Sequence, residues 1–297
     1  MEIKARLPER RDPSSRRRSQ KAGRVFEAVW SNALAMLLTA LWMVPVVWIV
    51  CKAFDGNNAA GYVSQTFFPT SWTFDNFIDL FANTPFLTWL FNTIVIALIN
   101  CVATTLVTIL TAFIFSRFRF RGRKALMNIS LILGMFPGFM AMIAVYLILN
   151  MVGLINSIWS LLLFYIAGAG LGFFTSKGYF DTIGKEIDEA AMLDGASQVR
   201  IFFQIFLPLA KPIIIYTALL AFMAPWTDYI LAGLVLSGDS SKTVAVGLYE
   251  WMSSTKINIY FFDFAAGCVV VAIPTVALYI GLQKFFVSGI SAGAIKG

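Results

Sequence analysis

The chain has 297 residues, of which 59% are hydrophobic and only 13% are charged. An ordinary globular domain carries about a quarter charged residues, so a soluble core is excluded as the main architecture. There is no histidine, which excludes Ser-His-Asp triads, Cys-His pairs and HExxH zinc sites. The three cysteines lie far apart in apolar stretches without CxxC spacing, so we expect free, buried thiols.

Six apolar stretches are long enough to cross a membrane, because a hydrocarbon core ~30 Å thick needs about 20 helical residues. They predict an all-α polytopic membrane protein with about six spans. The predicted spans are Trp30 to Cys51, Trp89 to Phe115, Ala125 to Asn150, Ser157 to Ser176, Pro212 to Leu234 and Phe262 to Leu282. A basic arm (1–29), a transmembrane domain (30–287) and a short tail (288–297) follow from this division.

Basic residues predict the orientation, since Lys and Arg accumulate on the cytoplasmic side of a membrane. The arm, the loops after the second and fourth spans, and the residues after the sixth span hold 20 of the 23 basic residues. Both termini are therefore expected in the cytoplasm. Topology and contact with anionic lipid account for most of the net charge of +7, so nucleic acid is not expected as a partner.

Two spans carry unusual features. In the third, Pro137 frees a backbone carbonyl and bends a helix; with Phe136 and Met140 beside it, this predicts either a gate or a plain kink. In the fifth, a carboxylate near the outer boundary, Asp228, is either a functional group or a hydrated interfacial one. The candidates for a translocation path are Asn92, Phe136, Pro137, Met140, Trp226 and Asp228.

A polar segment of about 35 residues joins the fourth and fifth spans, where a connector needs only a few. Acidic residues crowd the start of a predicted helix from Lys185 to Asp194, and Gly195 ends it. A slim, alanine-rich face on this helix is suited to a partner's groove; its members are Ile187, Ala190, Ala191 and Asp194. Ser197 is placed to cap a second helix, from Gln198 to Phe206, which Pro208 and Pro212 end.

The run EAA at 189–191, then Gly195 and later IFLP at 205–208, resembles the EAA-loop signature of the permease subunits of bacterial ATP-binding-cassette importers. The stretches NTIVIALIN, AFIFSRFRFRGRK, MFPGFMAMIAVYLILNMVGL and GISAGAIKG are similar to the smaller permease of maltose-type transporters. The likeness extends from about residue 30 to the last residue. It implies a type I importer permease fold in a bacterial inner membrane.

The resemblance also implies roles for particular residues. The polar helix is expected to be a coupling helix that docks on an ATPase subunit through Glu189, Ala190, Ala191, Asp194 and Gly195. The tail residues Ser291, Ala292 and Gly293 are expected to contact the ATPases, and a loop containing Asp239, Ser240, Ser241 and Lys242 is expected to face an extracytoplasmic binding protein. The sequence differs from carbohydrate permeases in having Trp-Thr-Asp at 226–228 where they have Trp-Asn-Asp.

The chain is not expected to be an enzyme, because it offers no phosphate loop: its single Gly-Lys pair, at 184–185, lacks the required glycine spacing. No cofactor or metal is expected here, with ATP and Mg²⁺ bound by the ATPase. The expected partners are a second permease, an ATPase dimer, a binding protein, membrane lipid and an oligosaccharide or polysaccharide fragment. The alternative is an ion-gradient-driven secondary transporter, which predicts midplane ionisable groups and inverted repeats; the sequence shows neither.

Overall fold

The computed structural model describes the backbone of residues 13–56, 66–136 and 138–294, and side-chain surroundings within 27–282 of these ranges, except Phe139. The described residues are almost entirely helical and form no strand. The helices are α1 (Pro13–Ala53), α2 (Asp75–Asn83), α3 (Phe86–Arg117), α4 (Arg123–Gly134), α5 (Gly138–Met151), α6 (Ile158–Ala169), α7 (Phe174–Asp181), α8 (Lys185–Leu193), α9 (Gln198–Arg200), a π-helix (Ile201–Phe206), α10 (Leu207–Leu209), α11 (Lys211–Thr227), α12 (Ile230–Val235), α13 (Val244–Trp251) and α14 (Ile257–Ala294).

The long apolar helix α3 lies at the centre of the bundle. Its sequence is apolar on all sides, which is typical of a helix buried among others, and it packs against α6, α7, α11 and α13. Three buried clusters follow one another along it. The first surrounds Trp89, the second Ile96 and the third Phe113.

A proline in α11 explains one polar contact between the central helices. Pro225 has no N–H, so the carbonyl oxygen of Ala221, four residues earlier, loses its helical donor. The Nδ2 atom of Asn100 in α3 donates to this oxygen at 2.6 Å. The exchange satisfies a buried backbone group and joins α3 to α11.

Four described helices are long and apolar enough to cross a membrane: Glu27–Ala53, Phe86–Arg117, Ile158–Asp181 and Ile257–Leu282. A fifth candidate is bent by 81° between Gln198–Leu209 and Lys211–Thr227. The third predicted span, Ala125 to Asn150, is divided between α4 and α5, and the break coincides with Gly134, Pro137 and Gly138, residues of low helix propensity. Pro137 itself lies outside the described residues. The count of six spans stays a prediction.

The fifth predicted span also ends earlier than expected. The helix α11 stops at Thr227, and the residues up to Leu234 belong to the separate helix α12. At its other end, the polypeptide stays helical through Pro208 to Leu209 and turns at Ala210. Proline is tolerated in the first turn of a helix, and Pro208 occupies such a position in α10.

The first span is fixed to the bundle mainly at one end. α1 packs along α14, and Lys52, near its last residue, forms a fully buried ion pair with Asp55 at 2.8 Å. The side chain of Asn76 in α2 donates to the carbonyl oxygens of Ala53 and Asp55. Part of the predicted basic arm, residues 1–12, lies outside the described residues, and from Pro13 onward its backbone continues α1.

Candidate functional site

The polar helix α8 begins after Gly184 and ends near the predicted residue. Gly195 adopts φ +80°, a left-handed conformation that glycine takes without strain. The N–H of Ala196 donates to the carbonyl of Ala191, and that of Gly195 to Met192. This pair of bonds is a Schellman motif, which satisfies the last carbonyls of the helix.

The helix α8 has two different faces. Asp188 and Ala191, three residues apart, are buried against the rest of the chain. Glu189 and Ala190 are exposed, and Leu193 is 90% exposed. Of the predicted slim face, only Ala191 is buried within this chain; the other members are exposed, namely Ile187, Ala190 and Asp194. A face of α8 is therefore open to a partner.

The buried face of α8 meets the end of the central helix. Arg117, the last residue of α3, places its Nε atom 2.7 Å from Oδ2 of Asp188, and both side chains are nearly buried. Its Nη2 donates to the carbonyl of Ile183 at 2.8 Å, and the guanidinium lies 4.5 Å from the centre of the Phe206 ring. Burial raises the pKa of Asp188, and Glu189 adds to this rise, while Arg117 opposes it. The role of Arg117 gave no signal in the sequence, because it depends on residues about seventy positions away.

After α8 the segment turns at Ser197, whose side chain accepts from the N–H of Arg200 as predicted. The helix that follows is wound as a π-helix from Ile201 to Phe206. Phe202 and Phe206 pack on Phe113 of α3, with ring centroids 4.8 and 4.9 Å apart. Single-turn π-segments within helices are frequent at functional sites, and apolar periodicity alone did not predict this one.

The predicted binding-protein loop lies at the opposite end of α3. The indole Nε1 of Trp89 donates to the carbonyl of Asp239, and Nδ2 of Asn92 donates to the carbonyls of Ser240 and Lys242. Asn92, which was predicted to line the path, is thus brought together with the loop. Asp239 and Ser240 are exposed, whereas Ser241 and Lys242 are buried. Arg117 lies about 38 Å along α3 from Asn92, at 1.5 Å per residue.

A charged cluster holds the loop to α13. Lys242 forms ion pairs with Asp239 and Glu250, and Glu250 also binds Lys256. Burial acts to lower the pKa of Lys242, but the hydrogen bonds to Asp239 and Glu250 outweigh it and leave this pKa raised. The two lysines lower the pKa of Glu250. A cavity of about 660 Å³ lies beside the cluster and is bordered by Tyr229 and Tyr249, whose rings stack at 4.3 Å.

One residue that sequence patterns missed also holds this loop. Asn156, between α5 and α6, has φ 62°, a conformation that asparagine tolerates better than most residues. Its Oδ1 accepts from the backbone N–H of Ser237 and of Gly238, and from the Ser237 hydroxyl. The one sign of this role in the sequence was the position of Asn156, a polar residue between two predicted spans.

Asp228 lies between α11 and α12. Its Oδ2 accepts from the hydroxyl of Tyr165 at 2.8 Å, and its Oδ1 accepts from the N–H of Leu231 at 3.1 Å. Both carboxylate oxygens therefore hold structure: one joins α6 to α11, and the other caps the first turn of α12. Trp226 is buried in the cluster around Trp89.

The remaining path candidates are not brought together with these residues. Phe136 and Met140 are 63% and 69% exposed on either side of the break between α4 and α5. Pro137 lies outside the described residues. Ser291, Ala292 and Gly293 continue the backbone of α14, and their side chains are outside the described part of the chain.

A polar cavity of about 360 Å³ lies between α3, α6 and α11, within the spans. Volumes of about 300–1,000 Å³ are usual for small-molecule sites. The described lining contains no charged residue; its polar members are Asn100, Thr104, Thr108, Tyr165, Thr175, Ser176, Tyr216 and Thr217. Several of them donate their protons within the protein: Thr104 to Asn100, Tyr165 to Asp228, and Thr217 to Ile213.

Comparison with known proteins identifies the family. Residues 104–292 match the model of the binding-protein-dependent transport system inner membrane component. The chain belongs to this family. Its members include transport permeases, so this chain is a multi-pass membrane permease.

Two relatives cover nearly the whole permease. The galactooligosaccharides transport system permease protein GanQ of Bacillus subtilis (strain 168) is 36% identical over 93% of this chain and 98% of its own. The maltodextrin transport system permease protein MdxG of the same organism is 39% identical over 92% and 98%. A maltose/maltodextrin transport system permease protein, MalG of Yersinia pestis, is 36% identical over 72% of each chain.

Solved structures share the fold. The permease matches a chain from a bacterial ABC transporter involved in the import of the acidic polysaccharide alginate, with a TM-score of 0.76 over 95% of this chain and 100% of that one. A chain of the alginate transporter in complex with alginate pentasaccharide-bound periplasmic protein matches with a TM-score of 0.63. At sequence identities of 22% and 16%, the two matches show a shared fold and carry no argument about the substrate.

Proposed function

We propose that this permease is one translocation subunit of an ATP-driven, binding-protein-dependent importer of oligosaccharides or polysaccharide fragments. A second permease and an ATPase dimer, which binds ATP and Mg²⁺, complete the transporter. In this arrangement both termini lie in the cytoplasm of a bacterium with α8 beside them, and the Asp239–Lys242 loop faces a binding protein outside.

One observation carries the proposal: α8 has an exposed face and a buried face, and the buried face contacts the central span through Asp188. An ATPase docked on Glu189, Ala190 and Leu193 would move the helix, and the movement would reach α3 directly. Oligosaccharide import rests on the near full-length relatives, whose names specify galactooligosaccharides and maltodextrin.

The neutral cavity fits this substrate class. Sugar hydroxyls both donate and accept hydrogen bonds, and Thr104, Tyr165 and Thr217 in the lining already donate their own protons within the protein. Aromatic rings of Phe164, Tyr165 and Tyr216 border it. Mostly apolar walls with a few placed polar groups are typical of ligand sites. No observation favours an ion-gradient mechanism.

The test uses the transporter assembled from this chain, its second permease and its ATPase in proteoliposomes with its binding protein. Labelled maltotriose, galactotriose and alginate trisaccharide are offered with and without ATP. Uptake of at least one of them is expected only with ATP. Uptake that persists without ATP under an ion gradient, or an ATPase that does not co-purify with the permease, contradicts the proposal.

The docking role is tested with two variants, one on α8 and one at the glycine that ends it. Glu189→Ala and Gly195→Val are expected to reduce uptake per ATP hydrolysed while leaving the protein in the membrane. Glu186→Ala, on the same helix, serves as the control. If the Glu189 and Gly195 variants transport at the control rate with normal ATPase stimulation, α8 is not the docking element.

A further inference from the structure

We propose that Arg117 is a positioning residue that fixes the coupling helix α8 to the central span α3, so that the two move as one unit when an ATPase displaces α8. The inference deepens the proposed function and rests on it. It concerns the inner face of α8, whereas the docking role concerns the outer face.

The guanidinium of Arg117 contacts three separate elements. It pairs with Asp188 on α8, donates to the carbonyl of Ile183 in the turn before α8, and covers the ring of Phe206 in the π-helix. Its side chain is 6% exposed and that of Asp188 is 10% exposed. An ion pair so shielded is screened by salt much less than a surface pair.

Arginine is suited to this position for a geometric reason. Its planar fork presents several donors in fixed directions, and its flat face packs on an aromatic ring. Lysine carries the same charge on a flexible stem and cannot make the three contacts together. In the described part of the chain, Nη1 of Arg117 and Oδ1 of Asp188 have no hydrogen-bond partner, so the pair is held by charge and packing more than by a full set of bonds.

A neighbouring contact holds α3 to the helix before α8. The hydroxyl of Ser116 donates to Asp181 of α7 at 2.7 Å, and Asp181 also pairs with Lys177. These contacts reach α7 and leave α8 untouched. Among the side-chain hydrogen bonds and ion pairs described for α3, the one to Asp188 reaches the coupling helix itself. A displacement of α8 therefore passes to α3 through Arg117.

The experiment uses the assembled transporter in inside-out membrane vesicles. Thr175, an exposed residue lining the polar cavity, is replaced by cysteine in a chain whose Cys51, Cys101 and Cys268 are changed to serine or alanine. A membrane-impermeant maleimide then reports access to the cavity from the α8 side. Closure driven by ATP is expected to slow labelling of the otherwise normal transporter.

Four variants separate transmission from folding. Arg117→Gln removes the charge and the fork, Arg117→Lys keeps the charge, and Asp188→Asn removes the partner charge. Arg117→Gln with Asp188→Asn leaves no unpaired buried charge. Arg119→Gln is the matched control, since Arg119 carries the same charge two residues on at an exposed position. Assembly with the ATPase and the rate of ATP hydrolysis are measured for each.

The transporter with Arg117→Gln is expected still to hydrolyse ATP. The factor by which ATP slows its labelling is expected to be about tenfold smaller than in the Arg119→Gln control. Arg117→Lys is expected to lose part of it. The double variant is expected to match Arg117→Gln, because two changes that break one link do not add. If the transporter with Arg117→Gln does not assemble, the ATP-dependent slowing of labelling in the double variant and in Arg117→Lys tests the inference instead.

Two results overturn the inference alone: an Arg117→Gln response equal to the Arg119→Gln control, or single effects of Arg117→Gln and Asp188→Asn that multiply in the double variant. In both cases Glu189→Ala still uncouples, and the proposed function stands. A reference transporter whose labelling does not respond to ATP would overturn the proposed function together with this inference.

Discussion

Polar side chains within the spans of this permease are mostly used to hold its own helices. Asn100 replaces the donor that Pro225 lacks, Asp228 joins two helices through Tyr165, and Asn92 holds the loop after α12. Each of these residues looked like a path candidate or a routine polar residue in the sequence. Their contacts satisfy hydrogen-bonding groups inside an apolar bundle, and the path roles of Asn92 and Asp228 stay predictions.

At the residue scale, Asp228 gives a sharp prediction. Asp228→Ala removes an acceptor from both Tyr165 and Leu231, and it should lower the free energy of unfolding by about 2 kcal/mol. Tyr165→Phe removes one of the two bonds and should cost about 1 kcal/mol. Thermal unfolding in detergent measures both.

Asp228→Asn is the control for this prediction, since it keeps the Oδ1 acceptor for Leu231. It should lie between Asp228→Ala and the unchanged permease. Equal stability of all four proteins would mean that the carboxylate does not hold α12, and its function would then be sought in transport.

At the scale of elements, α13 owes its position to a close approach to α3. A Cβ atom added at Gly247 would clash with the ring of Trp89, the same residue whose indole holds the carbonyl of Asp239. Glycine is thus required here by a packing contact rather than by its backbone conformation. The loop carrying Lys242 depends on this contact because both of its ends are fixed to α3.

Gly247→Ala is accordingly expected to displace Trp89, to lower stability by about 1–3 kcal/mol and to increase hydrogen exchange of residues 237–243. Gly233→Ala is the control, because a Cβ there would meet Val246 at an ordinary 3.9 Å. If exchange of the loop were the same in both variants, the Trp89 contact would not be what orders it.

At the scale of the whole molecule, much apolar surface is left open. Only 6% of the most apolar window of Glu27–Ala53 is buried inside the chain, and α4 has no buried residue. Lipid can cover α1. The broken pair α4 and α5 exposes Phe136 and Met140 at its centre, and a second permease would shield that surface.

Assembly should therefore raise the stability of this permease. A partner that binds only the folded state, at a concentration a hundredfold above its dissociation constant, adds about 2.7 kcal/mol to the free energy of unfolding. The temperature at which the buried thiol of Cys51 reacts with a fluorogenic dye should be several degrees higher in the complex than in the chain alone. Cys101→Ser and Cys268→Ser are introduced first, so that Cys51 is the one thiol left to react with the dye. Identical temperatures would indicate that the second permease does not cover this surface.

The helical membrane class, the positions of most long spans, and α8 with its glycine end could all be predicted from the sequence. Those features depend on hydrophobic runs about twenty residues long and on local capping, both of which are read within one stretch of chain. The sequence also carried the family signature, which agrees with the family match over residues 104–292.

Which distant residues contact each other could be seen only once the chain was folded. Arg117 and Asp188 are 71 positions apart, and Asn92 and Lys242 are 150 apart, so no local pattern announces either pair. The π-helix, whose Phe202 and Phe206 pack on Phe113, was likewise not predicted from the sequence, whereas the break between α4 and α5 coincides with residues of low helix propensity. Because pairing at such separations is set by how whole helices stack, the division of α8 into an exposed face and a face tied to α3 became visible only in the folded chain.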